Sequence, residues 1–237
     1  MLRGRYPLYF FLQKAHVICR HLKTCQSEGS HYLIEIELKC ELSPQLLKKV
    51  RQKTQRMEFR GTIYNHDIYY DTPTWDLLRR AVFVRVRNKQ KIEFKFNEDA
   101  SQEHKLSVER IFPLQPSSND LDRLNSLFAH FLPKWIPATS FEEALTKNHL
   151  IQLVSINNTR EAYANEYIDL SIDHVKGLGD FLEVETQCEE GDDTKHAESQ
   201  LQAFVADFHI QHIKVGYVEL WLYKHNPEAY QVGRYHL

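Results

Sequence analysis

The sequence predicts an α+β fold in which antiparallel strands alternate with helices along the chain. From residue 32 onward, several short segments alternate apolar and polar residues with the period of two that is typical of β-strands. Between these segments, apolar residues recur at helical spacing after residues that commonly cap helices. No repeat, low-complexity tract or linker interrupts residues 32–225. We therefore predict one domain over residues 31–230, followed by a C-terminal tail at 231–237.

Strands are predicted where the alternation is clearest. In order along the chain, these segments are residues 34–39, 82–87, 92–96, 168–173 and 182–185. Apart from Phe83, the apolar side chains of these segments fall on one face of the strand, and the polar or charged side chains fall on the other. One face of every predicted strand is therefore suited to a hydrophobic core.

Four helices are predicted between and after these strands. Ser43 is a capping residue and Pro44 suits the first helical position, so the first helix begins there. A second helix is predicted over residues 120–131, where Leu and Phe recur at helical spacing. Ser140, with a Glu three residues later, caps a third helix at 141–145, and the amphipathic segment 195–208 forms the fourth.

Length and composition exclude several classes of protein. The 237 residues are 42% hydrophobic and 26% charged, as in globular proteins and unlike disordered ones. With 30 basic and 32 acidic side chains, the chain lacks the positive charge that nucleic-acid binding favours. The longest apolar stretch, residues 6–12, is much shorter than the roughly 20 residues of a membrane-spanning helix. Four cysteines without a C-x-x-C pair are typical of reduced thiols, so we expect a cytoplasmic protein.

The first thirty residues differ from the rest of the chain. Basic side chains occur there without any acidic one until Glu28. Such a segment is found in transit peptides, in poorly ordered tails, and where a start codon is assigned too far upstream. Because it lacks a Ser-rich bias and a clean amphipathic period, we predict a poorly ordered extension at residues 1–30 and exclude it from the fold.

The charged faces of the strands permit two opposite architectures. In most amphipathic sheets the charged face meets water, whereas in a rarer arrangement it lines the inside of a closed barrel. The charged residues form two E-x-E pairs and one R-x-R pair, which is not a random mixture. These pairs are Glu35 with Glu37, Glu183 with Glu185, and Arg85 with Arg87. Clustered carboxylates suit Mg²⁺ and clustered Arg and Lys suit phosphate oxygens, so the pattern favours a site for a metal polyphosphate.

In their order along the chain, these motifs resemble those of the CYTH family, also called triphosphate tunnel metalloenzymes. The resemblance begins with E-x-E-x-K at residues 35–39 and continues through 69–73, 85–87 and 93–95. Residues 172–185 are close to the pattern D-x-V-x-G-L-G-x-F-x-E-x-E. Residues 214–230 resemble the final strand and helix of thiamine-triphosphatase-like members. The family includes thiamine triphosphatases, inorganic triphosphatases and class IV adenylyl cyclases.

The resemblance implies the rarer architecture, a closed eight-stranded antiparallel β-barrel with a polar tunnel and helices packed outside. It also implies the site, residue by residue. The implied metal ligands are Glu35, Glu37, Asp173, Glu183 and Glu185. The implied substrate-binding residues are Lys39, Arg60, Arg85, Arg87, Lys95, Arg160 and Lys214. The implied catalytic residues are Glu35, Glu37 and Lys39.

Some positions extend or qualify this site. Further candidates, on a strand whose register the sequence leaves open, are Lys105, Glu109 and Arg110. Ser171 stands where some triphosphatases of the family have a second Asp, and Asp169 could compensate from the same strand face.

We also expect Arg85 and Arg87 to be surrounded by other cations, so that Arg87→Ala would melt no lower than the wild type.

The implied activity is hydrolysis of thiamine triphosphate or inorganic tripolyphosphate, with Mg²⁺ or Mn²⁺ as cofactor and orthophosphate as product. The expected partner is a small triphosphate, bound by a monomer or homodimer, without nucleic acid or membrane. Two alternatives remain open: a class IV adenylyl cyclase making cyclic AMP from ATP, and a non-catalytic polyphosphate-binding module. A cyclase needs a pocket for purine and ribose, which no sequence feature indicates. A binding module is expected to lose acidic ligands, yet both E-x-E pairs are present.

Overall fold

The computed structural model describes residues 33–97, 106–189 and 193–237, which form eight strands, six α-helices and two short 3₁₀ helices. The strands are β1 (Leu33–Glu41), β2 (Glu58–Asp71), β3 (Phe83–Arg87), β4 (Lys91–Phe96), β5 (Leu106–Pro113), β6 (Ile151–Ala164), β7 (Asp169–Val175) and β8 (Gly179–Glu189). The α-helices are α1 (Pro44–Thr54), α2 (Ser118–Phe131), α3 (Phe141–Lys147), α4 (Thr194–Val205), α5 (Tyr217–His225) and α6 (Pro227–Val232). The predicted extension at 1–30 and the candidate Lys105 lie outside the described residues.

The eight strands close into one antiparallel barrel. Their order around the barrel is β1-β5-β4-β3-β2-β6-β7-β8, and β8 pairs with β1 to complete the ring. The longest strands, β2 and β6, have 14 residues each and pair along almost their whole length. The predicted α+β class and the closed eight-stranded barrel are therefore confirmed.

Charged side chains line the interior of this barrel. Cross-strand partners lie on the same face of a sheet, so the register shows which residues share the inward face. Glu37 of β1 lies opposite Glu185 of β8, and Lys39 lies opposite Glu183. Leu38, between them on β1, points the other way and joins an apolar cluster with residues of α1 and α4. The barrel is therefore polar inside and apolar outside, the inverse of an ordinary half-buried sheet.

Two groups of helices cover the apolar outside of the barrel. Val50 of α1 and Leu201 of α4 are buried in one cluster with residues of β1, β7 and β8. Helices α2 and α3 cover β3, β4 and β5, and the rings of Phe94 and Phe128 lie 4.7 Å apart there. All four predicted helices are present, and none of the helices within the described residues has the length and hydropathy of a membrane span.

Helices α5 and α6 cover one end of the barrel interior. Tyr69 lies opposite Arg85, and Phe83 is two residues from Arg85 on β3, so all three side chains share the inward face. Tyr69 and Phe83 join Val218 and Leu222 of α5 in one apolar cluster. The C-terminal helices therefore contribute apolar side chains to the wall of the interior.

The predicted C-terminal tail at 231–237 packs against the domain. The Tyr235 hydroxyl accepts a hydrogen bond of 2.6 Å from Asn97 Nδ2, beside β4. The backbone N–H of Leu237 donates to the Tyr230 hydroxyl at 2.7 Å. The tail is thus connected to both the barrel and α6.

Two strands and one connection differ from the sequence predictions. The alternation predicts neither β2 nor β6, because polar residues occupy both of their faces. In β2, Gly61 has a φ of +119° at a register shift, and such a bulge breaks the period of two. The final strand implied near residue 214 is wrong, because residues 209–216 form no regular strand. Instead, the Ile213 N–H donates a hydrogen bond of 2.8 Å to the Lys39 carbonyl.

Candidate functional site

Three carboxylates from β1 and β8 converge inside the barrel. Each of Glu35, Glu37 and Glu185 offers one oxygen, and the three oxygens lie within 4.8 Å of one another. Burial raises the pKa of Glu35 to about 7, against the opposing effect of Lys95, and Glu109 and Glu37 add to the rise. Burial and the neighbouring Glu35 also raise the pKa of Glu185. Closely spaced, half-buried carboxylates that destabilise one another's charge fit the requirements of a divalent cation site.

Two lysines contact this three-carboxylate group. Lys95 Nζ lies 2.6 Å from Glu35 Oε1 and 3.3 Å from Glu37 Oε2. Lys39 Nζ lies 2.7 Å from Glu37 Oε1 and 3.0 Å from Glu183 Oε1. Burial alone would lower the pKa of each lysine, but the acidic partners raise both pKa values above the ordinary one. Both side chains therefore remain positively charged at neutral pH.

Arg160 on β6 is held by two of the implied metal ligands. Its Nε donates to Asp173 Oδ1 at 2.8 Å and its Nη2 donates to Asp173 Oδ2 at 2.6 Å. The same Nη2 also donates to Glu183. Asp173 is fully buried, so its charge depends on this bidentate pair. Of the five implied metal ligands, the structure thus brings Glu35, Glu37 and Glu185 together, while Asp173 and Glu183 bind cationic side chains.

Arg85 and Arg87 of β3 are held by acids from both neighbouring strands. Asp67 of β2 accepts hydrogen bonds of 2.7 Å from both Nε and Nη2 of Arg87. Glu93 of β4 accepts one of 2.6 Å from Arg85 Nε, and Lys91 Nζ lies 2.6 Å from its other oxygen. Asp67 and Glu93 are only 4% and 2% exposed. The two guanidinium groups therefore have fixed orientations.

The expectation that other cations surround Arg85 and Arg87 is wrong, because each arginine has an acidic partner. Burial alone would raise the pKa of Asp67, but Arg85 and Arg87 lower it below the ordinary value. Removing Arg87 would leave a buried carboxylate without its bidentate partner, which destabilises a fold. Arg87→Ala is therefore expected to lower the melting temperature, and not to melt as high as the wild type.

Arg60 and Lys214 are more exposed than the other implied phosphate-binding residues. Arg60 lies near the start of β2, and its Nη1 is 3.1 Å from Glu58 Oε1. Lys214 is exposed in the irregular segment before α5. A role for either residue in binding substrate stays a prediction.

The pairing of β5 fixes the register that the sequence leaves open. Glu109 lies opposite Lys95 and therefore shares the inward face. Arg110 lies opposite Phe94, which belongs to the outer apolar cluster under α2. Of these two candidates, only Glu109 lines the interior.

The pairing of β7 places Asp169 on the same face as the three-carboxylate group. Asp169 lies opposite Glu185, and Ser171 lies opposite Glu183. The Ser171 hydroxyl is buried and has no hydrogen-bond partner among the described residues. Asp169 is therefore placed where it could compensate for the missing second Asp.

Sequence reasoning misses three residues of this interior, Asp67, Glu93 and Tyr217. Asp67 lies in β2, where the bulge obscures the alternation, and Glu93 gains its role only through strand pairing with Arg85. Tyr217 comes from α5, and its hydroxyl donates to Asp173 Oδ2 at 2.9 Å. The two residues are 44 positions apart in the sequence, and no local sequence pattern indicates a contact between them.

Glu93 gives an expected pH dependence of stability. Burial alone would raise its pKa, but Arg85, Arg87 and Lys91 lower it from the ordinary 4.5 to about 2. A lowered folded-state pKa contributes stability above pH 4.5 that is lost as the pH falls toward 2. Between these values, the wild type should lose about 3 kcal/mol more unfolding free energy than Glu93→Gln. Urea unfolding at a series of pH values measures this, and equal acid sensitivity would contradict the ion-pair assignment.

The fold and the site define a class of inverted barrels whose interior combines carboxylates with lysine and arginine. The chain belongs to the CYTH domain family, because the family model matches residues 33–214. The resemblance seen in the sequence motifs is thereby confirmed. Among curated proteins, none matches the chain in sequence.

Solved structures with the same fold include the PH1819 protein from Pyrococcus horikoshii OT3. It has a TM-score of 0.59 and 23% identity, over 80% of this chain and 99% of that chain. A Hippeastrum protein, described as a candidate adenylyl cyclase with a dominant triphosphatase activity, has a TM-score of 0.52 and 19% identity. That match covers 81% of this chain and 95% of the Hippeastrum chain. At these identities the two structures are similar to this protein in fold alone.

Proposed function

We propose that this protein is a metal-dependent triphosphatase that hydrolyses thiamine triphosphate or inorganic tripolyphosphate and releases orthophosphate. The observation that carries the proposal is the direct contact between the three-carboxylate group and two lysines, one buried and one half-buried, in one barrel interior. Lys95 bridges Glu35 and Glu37, and Lys39 extends the contact from Glu37 to Glu183. Acids alone would repel a triphosphate, and bases alone would not hold a divalent metal ion.

The interior cations suit a triphosphate, which carries about four negative charges near neutral pH. Inward-facing cations come from β1, β3, β4 and β6. They include Lys39, Arg85, Arg87, Lys95 and Arg160. Planar guanidinium groups bind phosphate oxygens in pairs, whereas ammonium groups act as point charges. Cations distributed around the interior would hold an extended polyanion along the tunnel.

Substrate binding would exchange ion-pair partners inside the tunnel. Phosphate oxygens would replace the carboxylates of Glu35 and Glu37 at Lys95. The released carboxylates, together with Glu185, would hold Mg²⁺ or Mn²⁺, because these ions prefer oxygen ligands. The bound metal would supply Lewis-acid stabilisation of the charge on phosphate oxygens. The acidic and basic side chains therefore have complementary roles.

The side chains contribute to hydrolysis through positioning and electrostatics. Attack of water on the terminal phosphorus redistributes charge onto the phosphoryl and leaving oxygens. Arg85 and Arg87, already oriented by Glu93 and Asp67, need little reorganisation as that charge develops. Phosphoryl transfer depends mostly on these effects, so this mechanism needs no covalent nucleophile.

A substrate panel tests the proposed function. The purified protein is given tripolyphosphate, thiamine triphosphate or ATP, with Mg²⁺, Mn²⁺ or excess chelator. Orthophosphate, pyrophosphate and cyclic AMP are measured separately. We expect metal-dependent release of orthophosphate that the chelator abolishes. Arg51→Ala is the control and should keep full activity, because it removes an ion pair with Glu161 on the outside of the barrel.

The other outcomes of the panel distinguish the alternatives. Cyclic AMP and pyrophosphate from ATP would replace the proposal with a nucleotidyl cyclase. Binding without turnover of any compound would leave a polyphosphate-binding module. Full hydrolysis in excess chelator would overturn the role of the metal.

A further inference from the structure

Tyr217 connects the C-terminal segment to the interior of the barrel. It is the first residue of α5, and its ring lies 5.1 Å from that of Phe181, edge to face. Its hydroxyl donates to Asp173 Oδ2 at 2.9 Å, and Lys39 Nζ lies 4.5 Å from the centre of its ring. One side chain from outside the barrel strands thus contacts an acid and a cation of the interior.

The hydroxyl contact completes the hydrogen bonding of Asp173. Arg160 occupies both carboxylate oxygens through Nε and Nη2, and Tyr217 adds a second hydrogen bond to Oδ2. Asp173 is fully buried, so no water competes freely for these oxygens. A carboxylate with three such bonds has a fixed plane, and a bidentate partner must share that plane. Tyr217 therefore restricts the orientation of the Arg160 guanidinium.

The ring contact acts on Lys39 directly. An ammonium group over an aromatic face is attracted to it, more strongly where both are shielded from water. The Lys39 side chain is 6% exposed and also contacts Glu37 and Glu183. The segment that leads into α5 also contacts Lys39 through its backbone, because the Ile213 N–H donates a hydrogen bond to the Lys39 carbonyl.

We propose that Tyr217 is a positioning residue of the phosphate site, which orients Arg160 through Asp173 and holds Lys39 through its ring. The segment at residues 213–217 is accordingly part of the binding site, although it lies outside the barrel strands. This inference rests on the proposed function, because the cations that Tyr217 orients are the ones assigned to the triphosphate.

The chain offers a matched control for the hydroxyl group. On the outer face of β6, the Tyr163 hydroxyl donates to Glu161 Oε2 at 2.9 Å. Arg51 holds Glu161 through two hydrogen bonds of 2.8 and 2.6 Å. Tyr217→Phe and Tyr163→Phe therefore each remove one hydroxyl from a tyrosine–carboxylate–arginine arrangement, inside and outside the barrel respectively.

Binding of tripolyphosphate without metal, measured by calorimetry, gives the first readout. Tyr217→Phe should weaken binding about tenfold, the size of a lost hydrogen bond to a charged group, whereas Tyr163→Phe should bind like the wild type. Tyr217→Leu should weaken it further, because it also removes the ring under Lys39. Equal affinities of Tyr217→Phe, Tyr217→Leu and the wild type would overturn the inference.

A second readout does not depend on the proposed function. The ¹⁵N NMR signal of the Arg160 Nε–H, identified by its loss in Arg160→Lys, reports the hydrogen bond to Asp173. Its exchange with water should be several-fold faster in Tyr217→Phe and unchanged in Tyr163→Phe. If the wild type binds no tripolyphosphate, the proposed function fails, and the NMR signal alone decides whether Tyr217 orients Arg160. Unchanged exchange in Tyr217→Phe would refute that role.

Discussion

Glu185→Gln is expected to lower triphosphate turnover by at least about 100-fold without lowering the melting temperature of the metal-free protein. Unlike Glu183, which pairs with Lys39 and Arg160, Glu185 forms no salt bridge within the described part of the chain. Burial and Glu35 raise its pKa, so its charge destabilises the metal-free fold. Glutamine keeps the size of the side chain and removes both the charge and a proposed metal ligand.

Two measurements separate this result from general damage to the protein. Orthophosphate release gives the turnover, and thermal unfolding with and without Mg²⁺ gives the stabilisation by metal. Glu185→Gln should lose the Mg²⁺-induced rise in melting temperature together with the activity. Glu161→Gln, which removes an acid on the outer face, should keep both. Full activity of Glu185→Gln with Mg²⁺ would remove Glu185 from the metal site.

The fold could be predicted in part, because the sequence contains two kinds of information: the period of two along each strand, and the residue types on the charged faces. The period of two identifies β1, β3, β4, β7 and β8, but it cannot say which face is inside. The inversion followed from the residue types on the charged faces and from the family resemblance. The alternation fails for β2 and β6, where polar residues occupy both faces and Gly61 shifts the register. Strand pairing between distant segments is not encoded in any local pattern.

The site shows the same division between local and long-range information. Glu35 and Glu37 share a strand, so their proximity follows from a spacing of two residues. The contact of Glu185 with this pair depends on the pairing of β1 with β8, which are far apart in sequence. The assignment of Asp173 as a metal ligand did not anticipate its ion pair with Arg160, because the opposite strand supplies that partner. Residue type and spacing therefore predict which charged side chains share a strand face, whereas contacts between strands depend on the pairing.

The ion pairs inside the barrel explain how so many charges can be buried in the metal-free protein. A buried charge without a partner costs several kcal/mol, and a hydrogen-bonded pair offsets most of that cost. Asp67 with Arg87 and Asp173 with Arg160 are bidentate pairs of this kind. The cations are thus held in place in the metal-free protein, and under the proposed function binding would replace a carboxylate with a phosphate. Affinity and stability would then be coupled at the same residues.

Arg87→Ala tests this coupling, and it is expected to lower the free energy of unfolding by about 3 kcal/mol and the melting temperature by roughly 10 °C. The physical reason is Asp67, which is 4% exposed and would lose both hydrogen bonds from Arg87. In the wild type, millimolar tripolyphosphate without metal should raise the melting temperature by several degrees, as expected for ligand at roughly 100 times its dissociation constant. Arg87→Ala should lose most of this rise.

Two further variants show whether stability and binding depend on the same pair. Arg51→Ala, which removes a partly exposed ion pair on the outer face, should cost no more than about 1 kcal/mol and keep the rise with tripolyphosphate. Combining Arg87→Ala with Asp67→Asn removes both charges, so it should recover part of the lost stability without recovering the response to tripolyphosphate. If Arg87→Ala unfolds like the wild type, the pair with Asp67 does not stabilise the metal-free barrel. If it keeps the full response to tripolyphosphate, Arg87 does not bind phosphate.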